Sequence, residues 1–241
     1  MEAIEMWKKR LARKASLFVP EGAASSAEPI SSWFGRVTLA EQGETWPTVG
    51  GRFMWPLLQI VVRDLPFRPP ALDDIALIRV FVNPEYAYGT VNQGGSYYHP
   101  TSPPGSGWLL RASARLESLR PMPEPDHGCR VRSCRGRWDL IDADYPTHDD
   151  LPLDFPDDLR EDYCNLDMEN SFGTKVGGWP HCVQSEIYWG PLKQHPWNPE
   201  YVFQIDSDCD RGWMWGDTGV AYFGRGTGAH RDKWEMEWQC Y

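Results

Sequence analysis

The chain has no CxxC pair, and its six cysteines (Cys129, Cys134, Cys164, Cys182, Cys209, Cys240) are sparse among 241 residues. That spacing argues against a disulfide scaffold or a zinc ribbon and predicts free thiols in a reducing cytosol. No stretch approaches the roughly 18 apolar residues of a membrane span. Residues 1–18, MEAIEMWKKRLARKASLF, lack the continuous apolar run of about seven residues that a secretory signal needs. Basic residues are in short supply: 24 Lys and Arg against 34 Asp and Glu leave a net charge of −10. Such a balance suits neither nucleic-acid phosphates nor anionic lipid. The expectation is a cytoplasmic protein that engages neither nucleic acid nor membrane. HExxH, GxSxG, phosphate-binding GxxxxGKS/T and Rossmann glycine patterns are all missing, so no reaction can be named from a motif.

What is present is aromatic and turn-rich. The 13 Trp are broken up by 22 Gly and 21 Pro, which favours sheets and loops over a helix bundle. A chain of this length can bury a full core without disulfides or metals. Ile4, Trp7, Leu11, Ala15 and Phe18 recur at steps of three or four, predicting an N-terminal amphipathic helix whose basic face is solvated. Residues 20–31 read as a linker, so residues 1–30 stand apart from a domain over 31–241. Within that domain, strands are predicted at Phe53–Val62, Ile75–Val82, Trp108–Leu116, Val131–Ile141, Tyr201–Ile205 and Trp213–Phe223. The clearest strand is KWEMEWQC. Its Trp234, Met236, Trp238 and Cys240 share one face and Lys233, Glu235, Glu237 and Gln239 the other, as in a half-buried antiparallel strand. A short helix is predicted around Leu159, Tyr163 and Leu166, after Pro156. Residues 83–107 and 120–128 read as loops.

The sequence also echoes itself. Ser32–Gly35 resembles Thr174–Gly177 at an offset of 142, Gln59-Ile60 resembles Gln204-Ile205 at 145, and Phe81 resembles Phe223 at 142. The order of these matches predicts an α+β, mainly β fold of two related halves from an internal duplication, about 31–106 and 171–241, with a connector over 107–170. These same motifs (SWFG, TWP, LLQI, KVGGWPHCVQ, FQIDSD, MWGDTGVAYF and WEMEWQC) resemble the YwqG-like family, a bacterial domain of unknown function. The resemblance implies an α+β fold with duplicated halves and carries no reaction. The family pattern of Gly-Gly followed by Pro survives at Gly177, Gly178 and Pro180. In the first half Gly35 is followed by Arg36, Val37 and Thr38, so a site built on that turn belongs to the second half.

Several constellations are candidates for chemistry. Asp206, Asp208 and Asp210 alternate as in a calcium loop, but Arg211 and Asp217 stand where such a loop needs Gly and Glu. They are a candidate cation site whose alternative is the capping of turns. Trp213 and Trp215, followed by Asp217, are either core or an exposed aromatic platform. With Trp179, Trp189 and Trp197, they give the second half more aromatic surface than one core seems to need, which points to a groove. Residues 139–169 hold twelve acids, including Asp149, Asp150, Asp157 and Asp158, against Arg160 alone. That segment is a solvated connector or a docking face for a cationic partner, with Arg130, Arg132, Arg135 and Arg137 upstream as possible neutralisers. His181 and Cys182 adjoin but should point apart. His127, Cys129 and Cys134 lack a fourth zinc ligand.

Two functions follow as expectations. The first is a non-catalytic, cytoplasmic protein-binding module without cofactors, in its most specific form an immunity-type protein neutralising a basic bacterial toxin. Its binding residues would be Asp149, Asp150, Asp157 and Asp158, with Asp206, Asp208, Trp213, Trp215 and Asp217. The alternative is an enzyme or a small-ligand or cation binder with a site between the halves, where Asp206, Asp208, Asp217 and His181 would be walled by Trp213 and Trp215.

Overall fold

The computed structural model describes residues 2–21, 30–84, 104–166, 168–190 and 194–241, with the side chains of Glu2 and Asp149 left aside. Helix α1 (Glu2–Leu11) is followed by fourteen strands and a second helix. The strands are β1 (Arg13–Pro20), β2 (Trp33–Phe34), β3 (Leu39–Ala40), β4 (Thr48–Val49), β5 (Arg52–Phe53), β6 (Trp55–Val61) and β7 (Leu77–Val82). Then come β8 (Trp108–Ser113), β9 (Arg120–Pro121), β10 (Cys134–Asp144), β11 (Lys175–Gly177), β12 (Glu200–Asp206), β13 (Val220–Arg225) and β14 (Trp234–Gln239). Helix α2 (Arg160–Cys164) lies between β10 and β11. The fold is mainly β, and ten strands form one nearly closed, barrel-like sheet.

The order across the sheet is β14-β13-β12-β11-β1-β10-β2-β6-β7-β8. Read outward from the central β1–β10 pair, the two flanks match: a short strand (β11 or β2), then a Gln-bearing strand (β12 or β6), then two more. Their hydrogen bonds match as well. Gln59 Nε2 donates to Ser31 O at 2.8 Å, and its Oε1 accepts from Thr38 N at 3.0 Å. Gln204 Nε2 donates to Gly173 O at 2.9 Å, and its Oε1 accepts from His181 N at 2.9 Å. Ser32 Oγ accepts Val61 N at 3.0 Å, as Thr174 Oγ1 accepts Asp206 N at 3.1 Å. Register breaks fall at Leu57 on β6 and Val202 on β12, again 145 apart. The third sequence match does not hold in register. Leu58 pairs with Val80 where Phe203 pairs with Phe223, so Phe223 corresponds to Val80. Phe81 lies one residue on and faces a different cluster, with Trp46 and Met54.

The main core fills the barrel with Phe18, Leu57, Ile60, Val80, Phe203, Phe223 and Met236 among others. β6 and β7 are buried along their whole length, because the outer face of each flank carries a second layer. Residues 36–54 cover the first flank, and α1 with residues 151–166 and 179–190 covers much of the second. Beneath these covers lie separate clusters. One gathers Ile4, Trp7 and Leu11 of α1 with Phe155, Tyr163 and Trp179; another gathers Ile187, Trp189, Val220 and Tyr222. The aromatic excess of the second half is thus spread over several cores. Trp213 and Trp215 belong to the barrel core, fully buried with rings 4.9 Å apart.

Three local expectations are corrected. The helical stripe stops at Leu11, and Arg13–Pro20 is a strand; seven of its residues pair with β10, and that tertiary demand overrides the local spacing. The predicted strand over Trp213–Phe223 begins only at Val220, because Gly212, Gly216 and Thr218 adopt positive φ in a turn. The polar face of β14 is not solvated: Glu235, Glu237 and Gln239 are buried and meet Val183, Tyr188 and His195.

Candidate functional site

On the outer face of the second flank, Lys175, Gln204, Tyr222 and Glu237 lie side by side on β11, β12, β13 and β14. Lys175 and Asp144 are fully buried, and Lys175 Nζ donates to Asp144 Oδ2 at 2.9 Å and to Ser171 O at 2.5 Å. Asp144 also accepts Ser171 N at 2.7 Å and Trp179 N at 2.6 Å. Burial pushes the Lys175 amine down and the Asp144 charge pushes back, with a net lowering. A buried pair of this kind survives only because the carboxylate's remaining lone pairs are filled. The Gly-Gly turn makes this possible. Gly177 and Gly178 have φ of +78° and +70°, and a Cβ on Gly178 would run into the Asp144 carboxylate.

Downstream of the turn the chain is tied on both sides. His181 N donates to Gln204, and His181 O accepts the Tyr222 hydroxyl at 2.8 Å. The His181 ring meets Asn170, with Nδ1 2.6 Å from Oδ1. Cys182 Sγ donates to Asp150 Oδ2 at 2.8 Å. His181 and Cys182 therefore have different partners and do not form a thiol–imidazole pair. Burial lowers the His181 pKa, helped by the Lys175 charge against that of Asp144. Beyond it, the Gln239 Oε1 accepts the backbone N–H of Val183, Gln184 and Ser185. The centre is a dense polar network in which Lys175, Asp144, Gln204, Tyr222 and Cys182 are committed to neighbours.

The residues singled out from sequence are dispersed. Asp206 accepts Gly173 N and Ser207 N, and burial, the larger effect, raises its pKa against these bonds. Asp208 caps the turn at Cys209–Arg211 through Arg211 N at 3.0 Å. Asp210 and Asp217 are exposed. Asp206 and Asp208 are thus engaged by backbone N–H groups, and among the described residues no group of three His, Cys, Asp or Glu is placed to hold a metal ion. Trp213 and Trp215 are core and offer no surface. Asp150 is engaged by Cys182, while Asp157 pairs with Arg160 at 2.9 Å. Asp158, with Glu161 and Asp162, is exposed on the α2 turn, and the side chain of Asp149 lies outside the described residues.

Other acids of the connector are met from elsewhere: Asp154 by Arg10, Asp142 by Lys14 and Asp139 by Arg137. Of the four arginines expected to neutralise them, Arg137 does so, whereas Arg135 pairs with Glu21. A concavity of about 420 Å³ lies in the first flank, lined by Phe53, Trp55, Asp126 and His127 among others, and holds none of these residues. Sequence reasoning missed Lys175 and the role of Asp144. The one signal was the intact Gly-Gly-Trp-Pro turn.

Fold and site together define a mainly β, two-flank scaffold with a dense polar centre under its second flank. A family model described as a domain of unknown function (DUF1963) matches residues 113–224. That span contains Asp144, Lys175, His181, Gln204 and Tyr222, while Glu237 and Gln239 of the polar centre lie beyond it. No curated protein matches the chain. None of the six cysteines is in a disulfide, and among the described residues no helix is long and apolar enough to cross a membrane.

Proposed function

We propose that the chain is a YwqG-like, non-catalytic protein-binding module of the cytoplasm, an immunity-type protein that neutralises a basic toxin. The observation that carries this reading is the contrast between the dense polar centre and the cap above it. Asp144, Lys175 and Cys182 are all engaged internally, so none of these three stands as a nucleophile beside a waiting base. By contrast, Asp158, Glu161 and Asp162 are exposed together at α2 with Arg160 beside them, and Arg160 is already paired with Asp157. An exposed anionic cap speeds encounter with a cationic surface and discriminates against acidic partners. The matched flanks and their repeated Gln clamps further support an origin by internal duplication.

The partner to assay is the product of the neighbouring gene. The expected result is a complex that weakens as salt rises and loses at least tenfold affinity in the triple reversal Asp158→Lys, Glu161→Lys, Asp162→Lys. Absence of a complex, or one indifferent to those reversals, would overturn the reading.

A further inference from the structure

The same cover that carries the acidic cap presents an unusual pair at its far end. Phe172 is 72% exposed, and its ring stands edge-on to His181 with centroids 6.1 Å apart. Exposing a Phe to this degree wastes apolar burial unless something covers it.

The His181 ring is fixed in one proton arrangement by its neighbour. Asn170 Nδ2 donates to two carbonyls, Tyr145 O at 2.6 Å and Pro180 O at 3.2 Å. Turning the amide over would set its oxygen against both carbonyls, so Oδ1 is the atom facing His181 Nδ1. Oδ1 accepts only, so Nδ1 carries the proton. In the neutral ring Nε2 is then a lone-pair acceptor. Backbone bonds to Gln204 and Tyr222 hold this imidazole in place. An acceptor set beside an exposed ring calls for a donor with a flat cationic body. Two acids are close along or against this stretch of chain: Glu169, three residues before Phe172, is exposed, and Asp206 accepts the amide of Gly173 directly after it.

We propose that Phe172 and His181 anchor an arginine of the cationic partner, its guanidinium lying on the Phe172 ring and donating to His181 Nε2, with Glu169 and Asp206 supplying the counter-charge. This deepens the protein-binding reading and rests on it. Arginine fits better than lysine because a guanidinium stacks on a ring while its in-plane N–H groups stay free to donate. The protein already uses this packing under the same cover, where the Arg13 guanidinium sits 3.4 Å from the Trp179 ring centroid.

The test uses the full chain with labelled hexa-arginine and hexa-lysine peptides, read by fluorescence anisotropy. Hexa-arginine should bind at least fivefold tighter than hexa-lysine. Phe172→Ala should erase that preference without lowering Tm, since the ring is exposed. The His181 Nε2 resonance in ¹⁵N spectra should move on adding hexa-arginine and stay in place with hexa-lysine. Equal affinity for the two peptides, or a preference that survives Phe172→Ala, overturns the anchor. If binding ignores Phe172→Ala but is lost in the Asp158/Glu161/Asp162 reversal, the anchor falls while the acidic-cap reading stands. Should neither peptide bind, both fall.

Discussion

Lys175 and Asp144 show how one buried charge can set the shape of its surroundings. Asp144 collects an ammonium and two backbone N–H groups, so it ties β11, the Ser171 turn and the Gly-Gly-Trp-Pro turn to the end of β10. Removing only the amine leaves an uncompensated carboxylate out of reach of water. Lys175→Met should therefore cost about 3–5 kcal/mol, read as a fall in the urea midpoint. In the double variant Lys175→Met, Asp144→Leu the charge cost disappears, and part of the stability should return. A double-mutant cycle over the four proteins measures the coupling directly. None of this was legible from composition. Asp144 sits among eleven other acids of the connector, and Lys175 looks like an ordinary strand lysine. What separates them is burial, which depends on strands more than 100 residues apart in sequence. His181 was visible as a candidate, but its proton arrangement needed Asn170, which no local pattern marks.

At the scale of the element, the two Gln clamps are the clearest instance of structure foreseen in sequence. The Gln-Ile pairs on β6 and β12 stood out because they repeat at an offset of 145, and both amides bind the loops on either side of the neighbouring short strand. Gln204→Leu removes the bonds to Gly173 O and His181 N, and Gln59→Leu removes those to Ser31 O and Thr38 N. Each should cost about 1–3 kcal/mol. Hydrogen exchange should report it locally, with the His181 amide losing protection in the first variant and the Thr38 amide in the second. The β14 strand was legible only by half. Its period of two was right, but alternation cannot say whether a polar face meets water or a second layer. Here Tyr188 donates both to Glu235 and, through its backbone, to Glu237. The match of Phe81 with Phe223 failed for a related reason, because a slip of one residue turns a side chain to the opposite face.

Across the whole molecule, β14 and β8 stand at the two ends of the sheet and share no ladder of hydrogen bonds. What joins the two flanks there is a clamp of side chains. Arg225 on β13 is bidentate to Asp74, at 2.6 and 2.9 Å, and donates to Ala71 O and Arg231 O as well; Arg231 adds a bond to Asp74 at 3.1 Å. The Arg225 hydrogen bonds, the largest effect, outweigh the opposing effect of burial and, with the smaller contribution of Arg231, hold the Asp74 carboxyl well below the usual carboxylate range. A depressed carboxylate stabilises fully above its unfolded value of about 3.9, and that contribution fades as pH falls through the folded value. Asp74→Ala should therefore lower Tm at neutral pH and flatten its decline below about pH 4. Asp74 is half exposed, which limits the expected loss to about 1 kcal/mol. Thermal melts of both proteins from pH 7 to pH 2 check the sign.

The placement of β1 has a consequence for how the chain comes together. In sequence β1 precedes the first flank, yet it hydrogen-bonds β11 of the second; β10 precedes the second flank and bonds β2 of the first. Each flank thus takes in the strand that precedes the other, like clasped hands. A nascent chain ending near residue 113 would hold β1 with nothing to grip, and assembly must wait until β10 and β11 emerge. Neither half is then a free-standing protein, and a cut between them would yield two pieces that fold only in each other's company.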